Sequence, residues 1–253
     1  MIDQSQTIYY CCYALICAAL GIAYLKVKST EGITITTKEF KIFQTSFLAG
    51  YSMMILCELM TVASFYHTYI YLKLSLEQIT RLYVVTIIST TGFGVLTEII
   101  DIGSRKDKCV ISATMYAVGM FSMLFGGHFE MLLLGRVVYG AASALHHSSF
   151  EGYVIHEHTS LGYPDDWLSH TFSLLTHSMA FVTAVSGGLG QTAVSAGPLG
   201  CVVLCCILFV ITALYILASW GRDLNGPRFM LSGFLYNLSQ TVQAARWEWL
   251  LQC

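Results

Sequence analysis

Residues 135–167 read GRVVYGAASALHHSSFEGYVIHEHTSLGYPDDW, and this stretch places charge where charge is expensive. Arg136 continues the apolar run Met131 to Gly135 without a break. At a helical rise of about 1.5 Å per residue, Glu151 lies roughly 22 Å beyond Arg136, most of a ~30 Å hydrocarbon core. At about 100° per residue, Gly140, Ser143, His147, Glu151 and His158 fall within about 60° of Arg136, while His146 falls about 80° to the other side. The result is a polar stripe on an otherwise apolar helix. Ionisable groups at membrane depth cost roughly 2.5 kcal/mol or more each and normally face a bundle interior or a wet cavity. The stripe is therefore a candidate site, and the structure expected around it is a membrane bundle.

Composition agrees. Of 253 residues, 55% are hydrophobic and 11% charged, against about 25% charged in soluble domains. Three prolines and 21 glycines suit long helices in close contact. Alternating segments of about ten residues, as in outer-membrane barrels, are missing. The fold class expected is all-α, a polytopic membrane helical bundle. A net charge of -2 offers no basic patch for nucleic acid. The nine cysteines lie mostly in apolar runs without zinc-ligand spacing and read as small buried hydrophobes. No metal and no cofactor is expected. A metalloenzyme using His146, His147, His156 and His158 would need histidine boxes on several helices, so enzyme activity is not expected either.

Residues 1–25 contain a leading apolar helix from Ile8 to Leu25, and 26–42 form a linker with Lys26, Lys28, Lys38 and Lys41. Those lysines assign the linker to the cytoplasm. Residues 43–221 hold six further spans, Phe43 to Tyr66, Ile79 to Ile100, Cys109 to Phe125, Met131 to Ile155, Leu168 to Gly190 and Pro198 to Trp220. Residues 67–78 read as an outer connection. Asp101 to Lys108 is a basic loop on the lysine side, as is the loop ending in Asp166. His156, Glu157 and His158 read as a solvated cluster at a helix end. Residues 222–253 carry apolar positions at helical spacing and read as a cytoplasmic or interfacial amphipathic tail.

Two patterns carry a resemblance. Thr97 to Lys106, TEIIDIGSRK, keeps the acid and the basic pair of the loop signature of major facilitators. GRVVYGAASALHHSSFEGYVIHEH followed by WLSHTF, with FQTSF at Phe43 and QITRLYV at Gln78, resembles the molybdate-anion transporter family, also called major facilitator superfamily domain-containing protein five. The resemblance covers about residues 7 to 223. It implies the amino-terminal six-helix half of a major facilitator plus one leading helix, in a chain expected to lack the second half. In the first facilitator helix the family's acid-Trp-Leu-Gln run is replaced by Glu58-Leu-Met-Thr61, and Leu174 stands where a basic residue is common in that family.

Arg136 is the candidate anion ligand, because a guanidinium donates two parallel hydrogen bonds to an oxyanion. The alternative is a structural arginine paired with a helix end or with Glu98. Ser143 and His147 are further donors on the stripe. Glu151 and Glu58 are candidates to carry coupling protons. His146, His147 and His177 are cavity or proton-relay candidates. Asp101, Arg105 and Lys106 resemble a conformational latch between helices. Gly140, Ala144 and Ser148 form a small-residue packing seam.

The function expected by resemblance is transport of an inorganic oxyanion, namely molybdate uptake, at the plasma membrane. The partners expected are that oxyanion, the lipid bilayer, and a second transporter half or a second copy of the chain. The reading from another class is a membrane interaction protein that does not transport.

Overall fold

In the computed structural model, residues 4–30, 37–99, 104–126, 128–195 and 197–220 are described. Asp101 and the tail after Trp220 lie outside them, and Glu98 is placed only as backbone. Seven helices follow in order: α1 (Gln4–Thr30), α2 (Lys38–Tyr71), α3 (Leu76–Ile99), α4 (Arg105–Phe121), α5 (Phe129–Ser160), α6 (Asp165–Ser195) and α7 (Pro198–Ser219). A 3₁₀ turn, Ser122–Phe125, continues α4. No strand occurs among the described residues. The chain is an all-α helical bundle.

Local chemistry sets the helix starts. Thr37 caps α2, its hydroxyl accepting from the Phe40 N–H at 3.3 Å, so the helix begins five residues ahead of its apolar run. Ser75 and Gln78 form a reciprocal capping box on α3, at 2.9 and 3.3 Å. Ser104 caps α4 through the Asp107 N–H. Because α2 extends to Tyr71, the expected twelve-residue outer connection shrinks to Leu72–Ser75.

α5 packs between α3 and α4, α2 packs on α6 and α7, α4 on α7, and α1 on α6. Close approach is made by glycine. A Cβ on Gly140 would lie 2.7 Å from the Thr86 carbonyl and 3.0 Å from the Thr90 nitrogen of α3, and one on Gly119 would lie 3.0 Å from the Gly135 carbonyl. The core gathers Phe47, Met54, Tyr116, Phe150, Tyr153 and Phe209. Cys57, Cys109, Cys201 and Cys205 are buried as expected, whereas Cys11 and Cys12 are exposed on α1, which packs mainly on α6.

Among the described residues five helical segments are long and apolar enough to cross a membrane. α1 adds a shorter apolar segment, Cys11–Lys26. α5 falls short on apolarity because of its polar residues, yet Arg136, Tyr139, Ala142, His146 and Phe150 are buried by its neighbours. The chain is a multi-pass membrane protein.

Candidate functional site

Arg136 is only 4% exposed. Its guanidinium carbon lies 3.3 Å from the Phe65 ring centroid and 5.1 and 5.4 Å from those of Tyr69 and Tyr139. Nε donates to the Tyr69 hydroxyl, and Nη2 meets the Met123 sulfur at 4.0 Å. Aromatic faces attract a desolvated cation through the ring quadrupole. No carboxylate forms an ion pair with it among the described residues.

Ten residues along α5, about 15 Å by helical rise, a second polar cluster forms. Tyr116 of α4 donates to Glu58 Oε1 at 2.7 Å, and His146 Nε2 stands 3.7 Å from Glu58 Oε2. His146 is 1% exposed, with its ring centroid 4.6 Å from that of Phe150 and 5.6 Å from that of Tyr51. Tyr51 in turn donates to Met179 of α6 at 3.6 Å.

Of the histidine pair, both expected as cavity or relay candidates, only one is interior. His146 is buried, whereas His147 is exposed with Nδ1 bonded to the Ser143 carbonyl at 2.8 Å. α5 meets α2 across the His146 side, a fact no angle measured from Arg136 contains. Glu151 is exposed and Ser143 half-buried. His177 stands on α6 with Nδ1 bonded to the Ser173 carbonyl at 2.7 Å. Arg136 and His147 are separated by about 16 Å along α5, too far to hold one small anion together in this conformation.

Two of the three latch residues are described. Arg105 Nη1 donates to the Gly152 carbonyl of α5 at 3.1 Å. Lys106, 6% exposed, donates to the carbonyls of Leu217 and Trp220 at 2.9 and 2.6 Å, closing the end of α7. A cation on the orphan carbonyls of a helix C-terminus is favoured by both hydrogen bonding and the helix dipole. Lys106→Met is expected to lower thermal stability by about 1.5–3 kcal/mol, the range for hydrogen bonds to a charged group, while Lys106→Arg retains most of it. Thermal unfolding in one detergent measures both.

The reading of His158 as solvated is corrected. It is buried against Phe40 and Tyr163, with Nε2 2.9 Å from the Pro164 carbonyl. The loop at Leu161–Pro164 folds back over the helix end. Beside it a cavity of about 380 Å³ is lined by Glu39, Phe43, Tyr153, Glu157, Tyr163 and Trp220 among others. Partial burial, with Glu39 and Glu157 nearby, pushes the Tyr163 hydroxyl pKa up.

The sequence reading missed Tyr69, Tyr116 and Trp220. Tyr116 carried a signal, since a buried tyrosine hydroxyl usually needs a partner. The FQTSF and WLSHTF patterns meet in space, Gln44 Nε2 donating to Thr171 Oγ1 at 3.0 Å, and Phe40, three residues ahead of FQTSF, has its ring centroid 4.8 Å from that of Trp167. Among the described residues no group of three or more His, Cys, Asp or Glu is gathered for a metal ion.

The described residues form a membrane bundle of seven helices with polar groups buried at two depths. Residues 8–228 match the major facilitator family described as sugar transporters, 12 TM, and the chain belongs to that family. It is 22% identical over 227 residues to a molybdate-anion transporter of Takifugu rubripes, covering 86% of this chain and 46% of that protein. With the molybdate-anion transporter of Danio rerio it shares 24% identity over 218 residues, 82% of this chain and 44% of the relative. One from Xenopus laevis is 27% identical over 153 residues. The chain thus spans about half the length of the first two of these relatives. No solved structure matches.

Proposed function

We propose that this chain supplies one half of a plasma-membrane transporter for an inorganic oxyanion, molybdate first. The observation that carries this is its similarity, over more than four-fifths of its length, to proteins named molybdate-anion transporters. Alternating access requires two halves moving around a central site, so a second half, from another chain or a second copy, is the proposed partner.

The binding face we propose is the polar side of α5, half-buried Ser143 with exposed His147 and Glu151, and His177 on α6. These residues differ in kind from the exposed side chains of α3, such as Ile87, Ile88 and Val95, which suit lipid. Arg136, held in its aromatic box, contributes positive field from below, and rearrangement during transport would be needed for direct contact. Glu58 and Glu151 are carboxyls able to carry protons that offset the dianion's charge. Asp101, Arg105 and Lys106 serve as the latch in this proposal. Sugar transport is the second reading, favoured by the family description; a buried guanidinium and paired histidines suit an anion better than a neutral polyol.

The test is uptake in cells co-expressing this chain with the part of the Danio rerio relative that it does not match. Labelled molybdate should enter above the level for either piece alone. His147→Ala is expected to cut uptake at least about tenfold, roughly 1.4 kcal/mol. Hexose uptake without molybdate uptake establishes the second reading, and uptake of neither rejects transport.

A further inference from the structure

We infer that Glu58 and His146 form one proton-binding site between α2 and α5, in which a single proton is held jointly by carboxyl and imidazole. Only the proton's purpose rests on the transport reading above; the site rests on geometry. His146 is sealed, at 1% exposure, and neither ring nitrogen has a hydrogen-bond partner among the described residues. Glu58 remains reachable, its side chain 15% exposed. Its Oε1 is already taken by the Tyr116 hydroxyl at 2.7 Å, which leaves Oε2 facing His146 Nε2 at 3.7 Å. That gap exceeds a charge-assisted N–H···O contact by about 1 Å.

A neutral imidazole has one donor and one acceptor nitrogen, and an ionised carboxylate only accepts. One added proton gives either an imidazolium against a carboxylate or a carboxylic acid against an imidazole. The Nε2–H tautomer of the neutral imidazole can already donate to the carboxylate; the added proton turns that contact into an imidazolium–carboxylate pair or its proton-shifted equivalent, in which one proton is held between Nε2 and Oε2.

The surrounding titratable groups are few and identifiable. α2 adds Tyr51 over the His146 ring, and α4 adds Tyr116. α5 adds His147, whose ring centroid is 5.2 Å from that of His146, together with Tyr139 and Glu151, which act electrostatically on the Tyr116 and Tyr51 side of the cluster. α7 places Phe209 flat on Tyr116, 4.9 Å away, and Cys205 near Tyr139. Arg136 lies beyond Tyr139. Within this set Glu58 and His146 are the carboxyl and imidazole that face each other. A dianion moving toward a negative interior does work against the potential for each charge, and a proton taken up beside the polar face of α5 offsets part of it.

The test uses the purified full chain in lipid nanodiscs. Infrared pH-difference spectra report the Glu58 carboxyl, and ¹⁵N resonances of labelled histidine report the His146 ring, each assigned by its loss in Glu58→Gln or His146→Asn. Both probes should show one shared transition. Removing either partner should move the other's midpoint by at least about one pH unit, a tenfold change in proton affinity. Tyr116→Phe retains both members, removes the donor that favours the carboxylate, and should raise the shared midpoint, so the proposal stays testable if the other variants do not fold. Independent transitions, or an unmoved midpoint in Tyr116→Phe or in either folded deletion of a partner, overturn the site. Molybdate uptake is scored separately: a linked titration without uptake rejects the transport reading and keeps the proton site, and uptake with independent titrations does the reverse.

Discussion

Gly140→Leu is expected to yield no correctly packed bundle, and Gly140→Ala to cost about 1–3 kcal/mol, the range for forcing extra methyl groups into a packed interior. The reason is that the atoms in the way are fixed to the α3 backbone: Ser89 Cβ at 2.5 Å, which no rotamer moves, and two main-chain atoms. A Cβ at Gly140 would meet the Thr86 carbonyl and the Thr90 nitrogen, and side-chain rotation relieves neither contact. α3 and α5 would have to separate, opening packing along both helices. Gly94 of α3 is the control, because a Cβ there meets nothing within 4 Å. Gly94→Ala is expected to be neutral or to stabilise by up to about 1 kcal/mol through helix propensity alone. Thermal unfolding of the two alanine variants in one detergent makes the comparison, and equal melting temperatures would show that α3 and α5 do not meet as described.

The second large effect is expected at Arg136. Arg136→Gln removes a cation lying 3.3 Å from the Phe65 centroid and the donor to the Tyr69 hydroxyl. Loss of a desolvated cation–π contact is worth about 2 kcal/mol. An unpartnered buried hydroxyl adds about 1–3 kcal/mol. Arg136→Lys retains charge and reach but loses the planar face and the Nε donor, so the stability order expected is wild type, then lysine, then glutamine. Unfolding of the purified chain measures it. Molybdate affinity, compared at equal folded fraction in cells or vesicles holding a complete transporter, separates structure from recognition. An affinity unchanged in Arg136→Gln removes Arg136 from the anion site, and a fall with glutamine that lysine largely restores keeps its charge in that site.

The positions of charge were legible in the sequence, and their partners were not. Arg136 inside an apolar run announced a buried cation, but its counterpart was expected to be an anion, a helix end or Glu98. Among the described residues its neighbours are the rings of Phe65, Tyr69 and Tyr139, which no pattern in the sequence announced. Two of those rings come from α2, and periodicity within α5 holds no information about α2. Lys106 was legible as one of a basic pair, yet its burial on the end of α7 depends on a helix more than a hundred residues later.

What the sequence by itself determined is the class of bundle and where most apolar runs of the described residues stand, because span length and hydropathy are local quantities set by the membrane. It also marked Gly140 as a packing position, since a residue without a Cβ allows close approach wherever the neighbour lies, although Ser148 of the same expected seam is exposed. Tertiary structure alone decided that His146 rather than His147 is interior, that Glu58 pairs with Tyr116 and faces His146, and that His158 is covered by its own following loop. A helix has two flanks beside any stripe, and only the docking of α2 and α4 against α5 chooses which becomes the inside.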